Sequence, residues 1–325
     1  MDYSKVVFET EINEAAEVLR RGGLVAFPTE TVYGLGADAS NLKALARMFA
    51  AKGRPTSHPV IVHLAEVMML PEWASEIPSA AVRLAERFWP GPMTLILPRA
   101  QGVLDAVTGG QDTVGLRVPN HPVALGLLKA FGGGVAAPSA NRFGRLSPTS
   151  AEHVRMDLGI LVDMILDGGA CTVGVESTIL DLSREHPVLL RPGAITIEML
   201  TEVLGEPPLT KEAFSTRAPG TLKIHYAPKT PLKVVNSEEL MSFVESLLSN
   251  GKHVAVMARR PLPEANPNLH WLIAPSDAKN YAHDLYANLR FLDLLGTDRI
   301  IVEEVSTDVD WQAIQDRLQR AEGNG

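Results

Sequence analysis

The chain is predicted to fold as two α/β domains, and three features of the sequence predict it. Short apolar runs alternate with helical stripes through the first two hundred residues, and the same alternation resumes in the last hundred. Between them, from Glu206 to Pro231, prolines recur and periodicity lapses, as in an interdomain connection. With 325 residues, 46% of them hydrophobic, there is enough apolar material for two cores. The expected division is a first domain at 1–205, a linker at 206–231 and a second, smaller domain at 232–325.

Each element follows from its own pattern. Ile12, Ala15, Ala16, Val18 and Leu19 form a helical stripe between Glu11 and Arg21, closed by Gly22-Gly23. Leu24-Val25-Ala26-Phe27 is a continuous apolar run ending at Pro28, the signature of a strand buried on both faces. Thr29 to Asp38 then offers hydroxyls, the Tyr33 phenol and spaced glycines, which read either as a ligand loop or as a turn into the helix Leu42–Ala50. Val60–Leu64 is a strand with His63 near its end, either a satisfied core histidine or one facing a crevice. A helix over Ser79–Phe88 is broken by Trp89-Pro90-Gly91-Pro92, and strands follow at Met93–Leu97 and Thr113–Val118. Arg117 interrupts the second of these, and a buried arginine requires an anionic partner. A helix over Pro122–Phe131 precedes the loop Val135–Thr149, which is rich in small and hydroxyl residues, and another lies near Ser150–Leu158. Strands at Val175–Asp181 and Val188–Arg191 end the first half. In the second, strands at Lys233–Val235, Val254–Met257, Leu272–Ile273 and Ile300–Val302 are separated by helices at Ser237–Leu248, Ala278–Leu295 and Trp311–Arg320. That order predicts a small parallel sheet.

Composition removes several function classes. No apolar run reaches the ~20 residues of a membrane span, and Met1-Asp2-Tyr3-Ser4-Lys5 lacks the layout of a secretion signal, so a cytoplasmic protein is expected. The single cysteine, Cys171, rules out an internal disulfide and a cysteine-cluster zinc site, and reads as a packing residue. A net charge of −8 argues against a broad nucleic-acid-binding face. Cations instead sit singly in Gly/Pro/Ser-rich stretches, at Lys52, Arg54, Arg117, Arg142, Arg145 and Arg191, a pattern compatible with a focused anion pocket. Lys52-Gly53-Arg54 in particular reads as an anion clamp, a point charge beside a bidentate fork.

The sequence contains no Walker loop, no Gly-x-Gly-x-x-Gly fingerprint after a strand, no nucleophile elbow and no His-Glu-x-x-His motif. The remaining loops supply hydroxyls, cations and two histidines, which suits an enzyme that positions a nucleotide and a small zwitterion. Spacing alone does not say which.

Six phrases in order, Phe27-Pro28-Thr29-Glu30-Thr31-Val32-Tyr33-Gly34-Leu35, Lys52-Gly53-Arg54-Pro55, Trp89-Pro90-Gly91-Pro92-Met93-Thr94, Gly115-Leu116-Arg117-Val118-Pro119, Pro138-Ser139-Ala140-Asn141 and Glu176-Ser177-Thr178-Ile179, resemble the YrdC-like threonylcarbamoyl-AMP synthase family over residues 5 to 200. His225-Tyr226-Ala227-Pro228 and the extra α/β half resemble its longer, two-domain branch. The resemblance implies a twisted mixed sheet with helices around a cationic cavity, plus a C-terminal Rossmann-like parallel domain. It also implies the synthesis of L-threonylcarbamoyladenylate and pyrophosphate from L-threonine, bicarbonate and ATP, with Mg2+ accompanying ATP. The product would pass to the machinery that modifies an adenosine beside the tRNA anticodon, with no stable nucleic-acid binding and no membrane contact by the chain itself. By the family pattern Thr31, His63, Arg117, Ala137 and Ser177 hold threonine, with Arg117 on its carboxylate. Arg54, His58, Thr113, Ser139, Asn141, Ser147, Arg191 and Tyr226 hold ATP, and Lys52 with Arg54 stabilises phosphate charge. His58 replaces an asparagine found in several relatives. The segment carrying Tyr226 is expected to close as a lid.

Two rivals follow from the same residues. A non-enzymatic RNA-binding module is disfavoured by the acidic total and the lack of aromatic-basic RNA motifs. The carbamoyl-transfer module of hydrogenase maturation shares this fold by resemblance, but carries cysteine-rich zinc modules that one cysteine cannot supply.

Overall fold

The computed structural model describes residues 3–210, 216–220, 222, 225–262 and 265–322. The chain divides into two compact units. The first comprises 1–143, 148–172 and 176–221; the second comprises 144–147, 173–175 and 222–325.

In the first unit the elements run α1 (Tyr3–Arg20), β1 (Val25–Phe27), β2 (Gly34–Asp38), α2 (Leu42–Lys52), β3 (Ile61–His63), α3 (Leu70–Trp73), α4 (Ser79–Phe88), β4 (Met93–Pro98), α5 (Asp105–Thr108), β5 (Thr113–Arg117), α6 (Pro122–Phe131), β6 (Val135–Ala136), α7 (Ala151–Asp157), β7 (Met164–Ile165), β8 (Thr178–Asp181), β9 (Val188–Arg191), α8 (Ile197–Leu204) and β10 (Leu209–Thr210). The strands form one sheet in the order β10-β9-β8-β4-β5-β3-β6-β2-β1-β7. It is mixed: β3 and β5 pair in parallel, as do β4 and β8, whereas β4 and β5, β3 and β6, and β1 and β2 are antiparallel.

Both faces of this sheet are covered, which explains the unbroken apolar runs. Leu24 and Ala26 join one core cluster while Val25 and Phe27 join another on the opposite face, and Ala136 is likewise divided from Val135 and Ala137. The larger cluster packs α2 through Ala44, Leu45 and Met48, and α4 through Ala81, Leu84 and Ala85; the smaller packs α1 and α6 through Ala16, Leu19, Ala124 and Leu127.

Three differences from the sequence reading have physical causes. Gly34–Asp38, read as part of a loop, is a buried strand. Its glycines are there because the sheet is tight: a Cβ on Gly36 would lie 2.9 Å from the Phe27 ring and 3.1 Å from the Val25 carbonyl oxygen. Tyr33, counted among that loop's ligand groups, is fully buried, and its hydroxyl donates to the Gly169 carbonyl at 2.8 Å. Within 206–231, Leu209–Thr210 adds a short parallel strand beside β9, and residues 211–215, 221 and 223–224 of that segment lie outside the described residues.

The second unit holds β11 (Leu232–Val235), α9 (Leu240–Ser249), β12 (Val254–Ala258), β13 (Leu269–Ile273), α10 (Ala278–Leu294), β14 (Arg299–Glu303) and α11 (Gln312–Ala321). Its four strands are all parallel, in the order β11-β14-β12-β13. Val254, Val256 and Ala258 of β12 pack with Leu240 and Val244 of α9 on one face. Among the described residues no helix is long and apolar enough to cross a membrane.

Candidate active site

The first unit gathers its chemistry on one face of the central strands. His63 and Arg117 are the last residues of β3 and β5 and are register partners in that parallel pair, so their side chains leave the sheet side by side. Thr113 and Gly115 share this face with Arg117 by alternation. Ile61 of β3 and Ile96 of β4 flank Gly115 in register, giving a flat apolar floor between the Thr113 end and the Arg117 end. The two ends are about 13 Å apart at ~3.3 Å per residue.

Arg117 is buried, and its anionic partner is Glu30, with Nη2 2.7 Å from Oε1. The same Nη2 donates to Thr31 Oγ1 at 3.0 Å, and Nε donates to the Gly91 carbonyl at 3.2 Å. Hydroxyl directions here follow from the network. Thr29 Oγ1 donates to the Val32 carbonyl at 2.7 Å, which uses its only hydrogen, so across the 2.8 Å Thr29–Thr31 contact Thr31 is the donor. Thr31 therefore has only acceptor capacity left for a ligand. Its partner across the site, His63, is buried with Nδ1 lacking a hydrogen-bond partner among the described residues, and burial together with the Arg117 charge pulls its pKa down to about 3. The imidazole is neutral at ordinary pH.

Ser177 stands immediately before β8. Its Oγ accepts from Arg191 Nη2 at 3.1 Å and lies 2.8 Å from Thr94 Oγ1, while Arg191 Nε donates to the Ser177 carbonyl at 3.0 Å. Arg191 thus grips both ends of Ser177. Ala137 follows β6 and donates its amide to the Ile61 carbonyl at 3.0 Å, which continues the sheet past the strand.

At the other end, α2 stops because Gly53 adopts φ 64°, and its amide and that of Arg54 turn back onto the Ala50 and Phe49 carbonyls. Arg54 emerges buried, donates Nη2 to the Pro59 carbonyl at 2.8 Å, and lies 5.5 Å from the Phe143 ring centroid. His58 packs edge-on against the same ring at 5.4 Å, and burial and the Arg54 charge lower its pKa. Phe143 is thus a shared wall for the two residues that the sequence reading did not single out, though its position three residues after Ala140 in the Ser139–Asn141 phrase was a usable signal.

Lys52 has a different immediate partner from a phosphate. Its ammonium is buried and donates to the Ser139 and Asn141 carbonyls at 2.5 and 2.6 Å, and burial and Arg54 hold its pKa well below the usual lysine value. The Ser139–Asn141 loop is fixed further by the Leu35 amide on the Pro138 carbonyl at 2.7 Å and the Ala140 amide on the Tyr33 carbonyl at 2.8 Å. Arg142 donates to the Ala51 carbonyl at 2.9 Å, so it caps α2. Ser147 and Tyr226 belong to the second unit. There the Ser147 carbonyl accepts from Arg290 Nε at 3.4 Å, and the buried Tyr226, at φ 59°, stacks near Arg317 and Tyr286. Arg145 donates to the Pro228 carbonyl at 3.1 Å in the same unit.

The described residues include no group of three or more His, Cys, Asp or Glu placed to hold a metal ion. The one carboxylate among these contacts, Glu30, is committed to Arg117.

Residues 17–193 match the Sua5_yciO_yrdC family model, described as "Telomere recombination", and residues 195–323 match that of the threonylcarbamoyl-AMP synthase C-terminal domain. The threonylcarbamoyl-AMP synthase of Pyrococcus abyssi is 41% identical over 326 residues, covering 97% of this chain and 95% of the relative. The chain belongs to the threonylcarbamoyl-AMP synthase family. The Bacillus subtilis threonylcarbamoyl-AMP synthase is 39% identical, with 97% of this chain and 94% of the relative covered. The structure of P. abyssi Sua5 complexed with L-threonine superposes with a TM-score of 0.91 at 40% identity over 97% of this chain and 95% of that one. The E. coli YciO structure gives a TM-score of 0.51 at 27% identity over 57% of this chain and 90% of that one. Like other threonylcarbamoyl-AMP synthases the chain is a transferase with a two-domain organisation of the Sua5 type.

Proposed function

We propose that this chain condenses L-threonine, bicarbonate and ATP into L-threonylcarbamoyladenylate, pyrophosphate and water, and that the product serves the modification of an adenosine next to the tRNA anticodon. The observation that carries the reading is the juxtaposition of Thr31, His63 and Arg117 at adjoining strand ends, with Thr31 Oγ1 and Arg117 already in contact. Arg117 receives the amino-acid carboxylate. Thr31, as an acceptor, takes an N–H or O–H of the substrate, and the neutral His63 stands beside them without adding charge. Ser177 and the Ala137 backbone complete this end.

The nucleotide lies toward Arg54, His58, Thr113, Ser139, Asn141 and Arg191. Threonine binds as the zwitterion, and its amine must then lose its proton to capture CO2 from bicarbonate, after which a carbamate oxygen displaces pyrophosphate from the α-phosphate. Arg54 supplies charge to the phosphates as they separate. Lys52 acts one step back, by holding the Ser139–Asn141 carbonyls and so the loop that meets the nucleotide. Mg2+ enters chelated by the ATP phosphates, and no step is assigned to it. The adenylate is a reactive anhydride, so it is passed on to a carbamoyl-transfer step on tRNA.

The test is pyrophosphate release that requires both L-threonine and bicarbonate. Arg117→Ala is expected to raise KM for threonine at least tenfold with KM for ATP within about twofold, and Arg54→Ala the reverse. Release without threonine overturns the reading, and an Arg117→Ala effect confined to ATP overturns the division of the site.

A further inference from the structure

We propose that Glu30 is a specificity-determining residue: by neutralising Arg117 it makes the amino-acid end of the site accept a net-neutral zwitterion in preference to a carboxylate that lacks the amine. The inference rests on the reading that Arg117 receives the substrate carboxylate.

Glu30 is placed for this from both of its oxygens. Oε1 lies 2.7 Å from Arg117 Nη2, and Oε2 accepts the Asn120 amide at 3.0 Å, so the carboxylate is pinned between the loop after β1 and the loop after β5. Arg117 in turn donates Nη2 to Thr31 and Nε to the Gly91 carbonyl, while its contact with Glu30 Oε1 is an ion pair without hydrogen-bond geometry. Among the described residues Nη1 has no acceptor, so one nitrogen of the fork is left for a ligand, in a fixed direction.

Charge decides what that ligand can be. With Glu30 ionised, the pair sums to zero, and the three other titratable groups that feel it are uncharged: the Cys171 thiol is pushed up to about 12 by burial, the His63 imidazole is pulled down to about 3, and burial lowers the His121 imidazole below the ordinary histidine value. A zwitterion bound to a neutral, desolvated pair leaves no net charge. An amine-free carboxylate leaves one uncompensated negative charge, which a buried site tolerates poorly. Without Glu30 the order inverts, since a lone buried Arg117 calls for a net anion.

The probes are L-threonine and 3-hydroxybutyrate, which keeps the carboxylate and the hydroxyl and lacks the amine. Wild type is expected to bind threonine at least tenfold more tightly. In Glu30→Gln, which keeps size and an acceptor and removes the charge, the ratio of the two dissociation constants should shift at least tenfold toward 3-hydroxybutyrate. Glu30→Asp, which keeps the charge on a shorter stem, should retain most of the wild-type ratio even if both affinities fall. A merely structural role would weaken both ligands alike. An unchanged ratio in Glu30→Gln, or the same shift in Glu30→Asp, overturns the proposal. Wild-type binding of 3-hydroxybutyrate as tight as that of threonine does so too, without need of a variant. Failure of the underlying reading is separately visible: in that case Arg117→Ala leaves threonine affinity intact.

Discussion

His63 carries the clearest thermodynamic signature at the residue scale. Its pKa falls from 6.5 in an exposed histidine to about 3 here, so between those values the unfolded chain binds a proton that the folded chain excludes. Stability therefore drops as pH falls through this window, by at most about 1.4 kcal/mol per pH unit from this group. Urea titrations from pH 7 to pH 4 should show a shallower decline in His63→Gln than in wild type. Lys52 makes a second residue-scale prediction. Lys52→Met keeps the buried volume but strips two carbonyls of their donor, at a cost of roughly 1–3 kcal/mol. Calorimetry should register that loss, and kcat should fall with it because the Ser139–Asn141 loop loosens. What the sequence disclosed at this scale was demand, not supply. Arg117 in an apolar run announced that an anion was needed, but nothing in spacing selects Glu30, eighty-seven positions earlier in the chain, over any other carboxylate; the fold does that by bringing two loops together.

Elements with strong periodicity were legible in outline. The helices Ser79–Phe88 and Pro122–Phe131 match their apolar stripes, and the strands at β1, β3, β4 and β9 match their continuous runs. The strand β2 was not, because Gly-Leu-Gly-Ala-Asp lacks the β-branched residues that mark strands, and its glycines serve close packing against Phe27 and Val135. Packing of this kind also governs Ser177. Gly193, just beyond β9, approaches the backbone ahead of β8 so closely that an added Cβ would sit 2.4 Å from the Thr178 nitrogen and 2.8 Å from the Glu176 oxygen. Gly193→Ala should destabilise by about 1–3 kcal/mol and displace Ser177. The expected reading is a lower Tm together with a raised KM for threonine, and a fall in Tm alone would show that Ser177 had not moved.

For the whole molecule, two short stretches that precede the expected linker in the sequence, 144–147 and 173–175, fold with the second unit. No compositional boundary could reveal this, since Gly144–Ser147 reads as a continuation of the loop before it. The Ala227 amide donates to the Gly144 carbonyl at 2.9 Å, and Arg145 to the Pro228 carbonyl. A fragment beginning at residue 222 lacks those partners. Hydrogen exchange at the Ala227 amide should be at least tenfold faster in such a fragment than in the full chain. The net charge of −8 makes a further prediction at this scale. Retention on immobilised tRNA at 150 mM salt should be absent, because few phosphate contacts can be offset by so acidic a surface.

The pairing of β3 with β5 has a consequence for how this site can change. His63 and Arg117 are neighbours across a hydrogen-bonded ladder in the middle of a ten-stranded sheet, with further strands on either side. Their separation is set by backbone spacing, about 4.8 Å, and not by side-chain packing. The pocket therefore has a fixed gauge. Core residues beneath it can be exchanged without altering that gauge, whereas a one-residue slip of either strand would turn one of the two groups to the opposite face. Accommodating a longer or shorter amino acid then falls to the loops at the strand ends, which are the parts of this site free to drift.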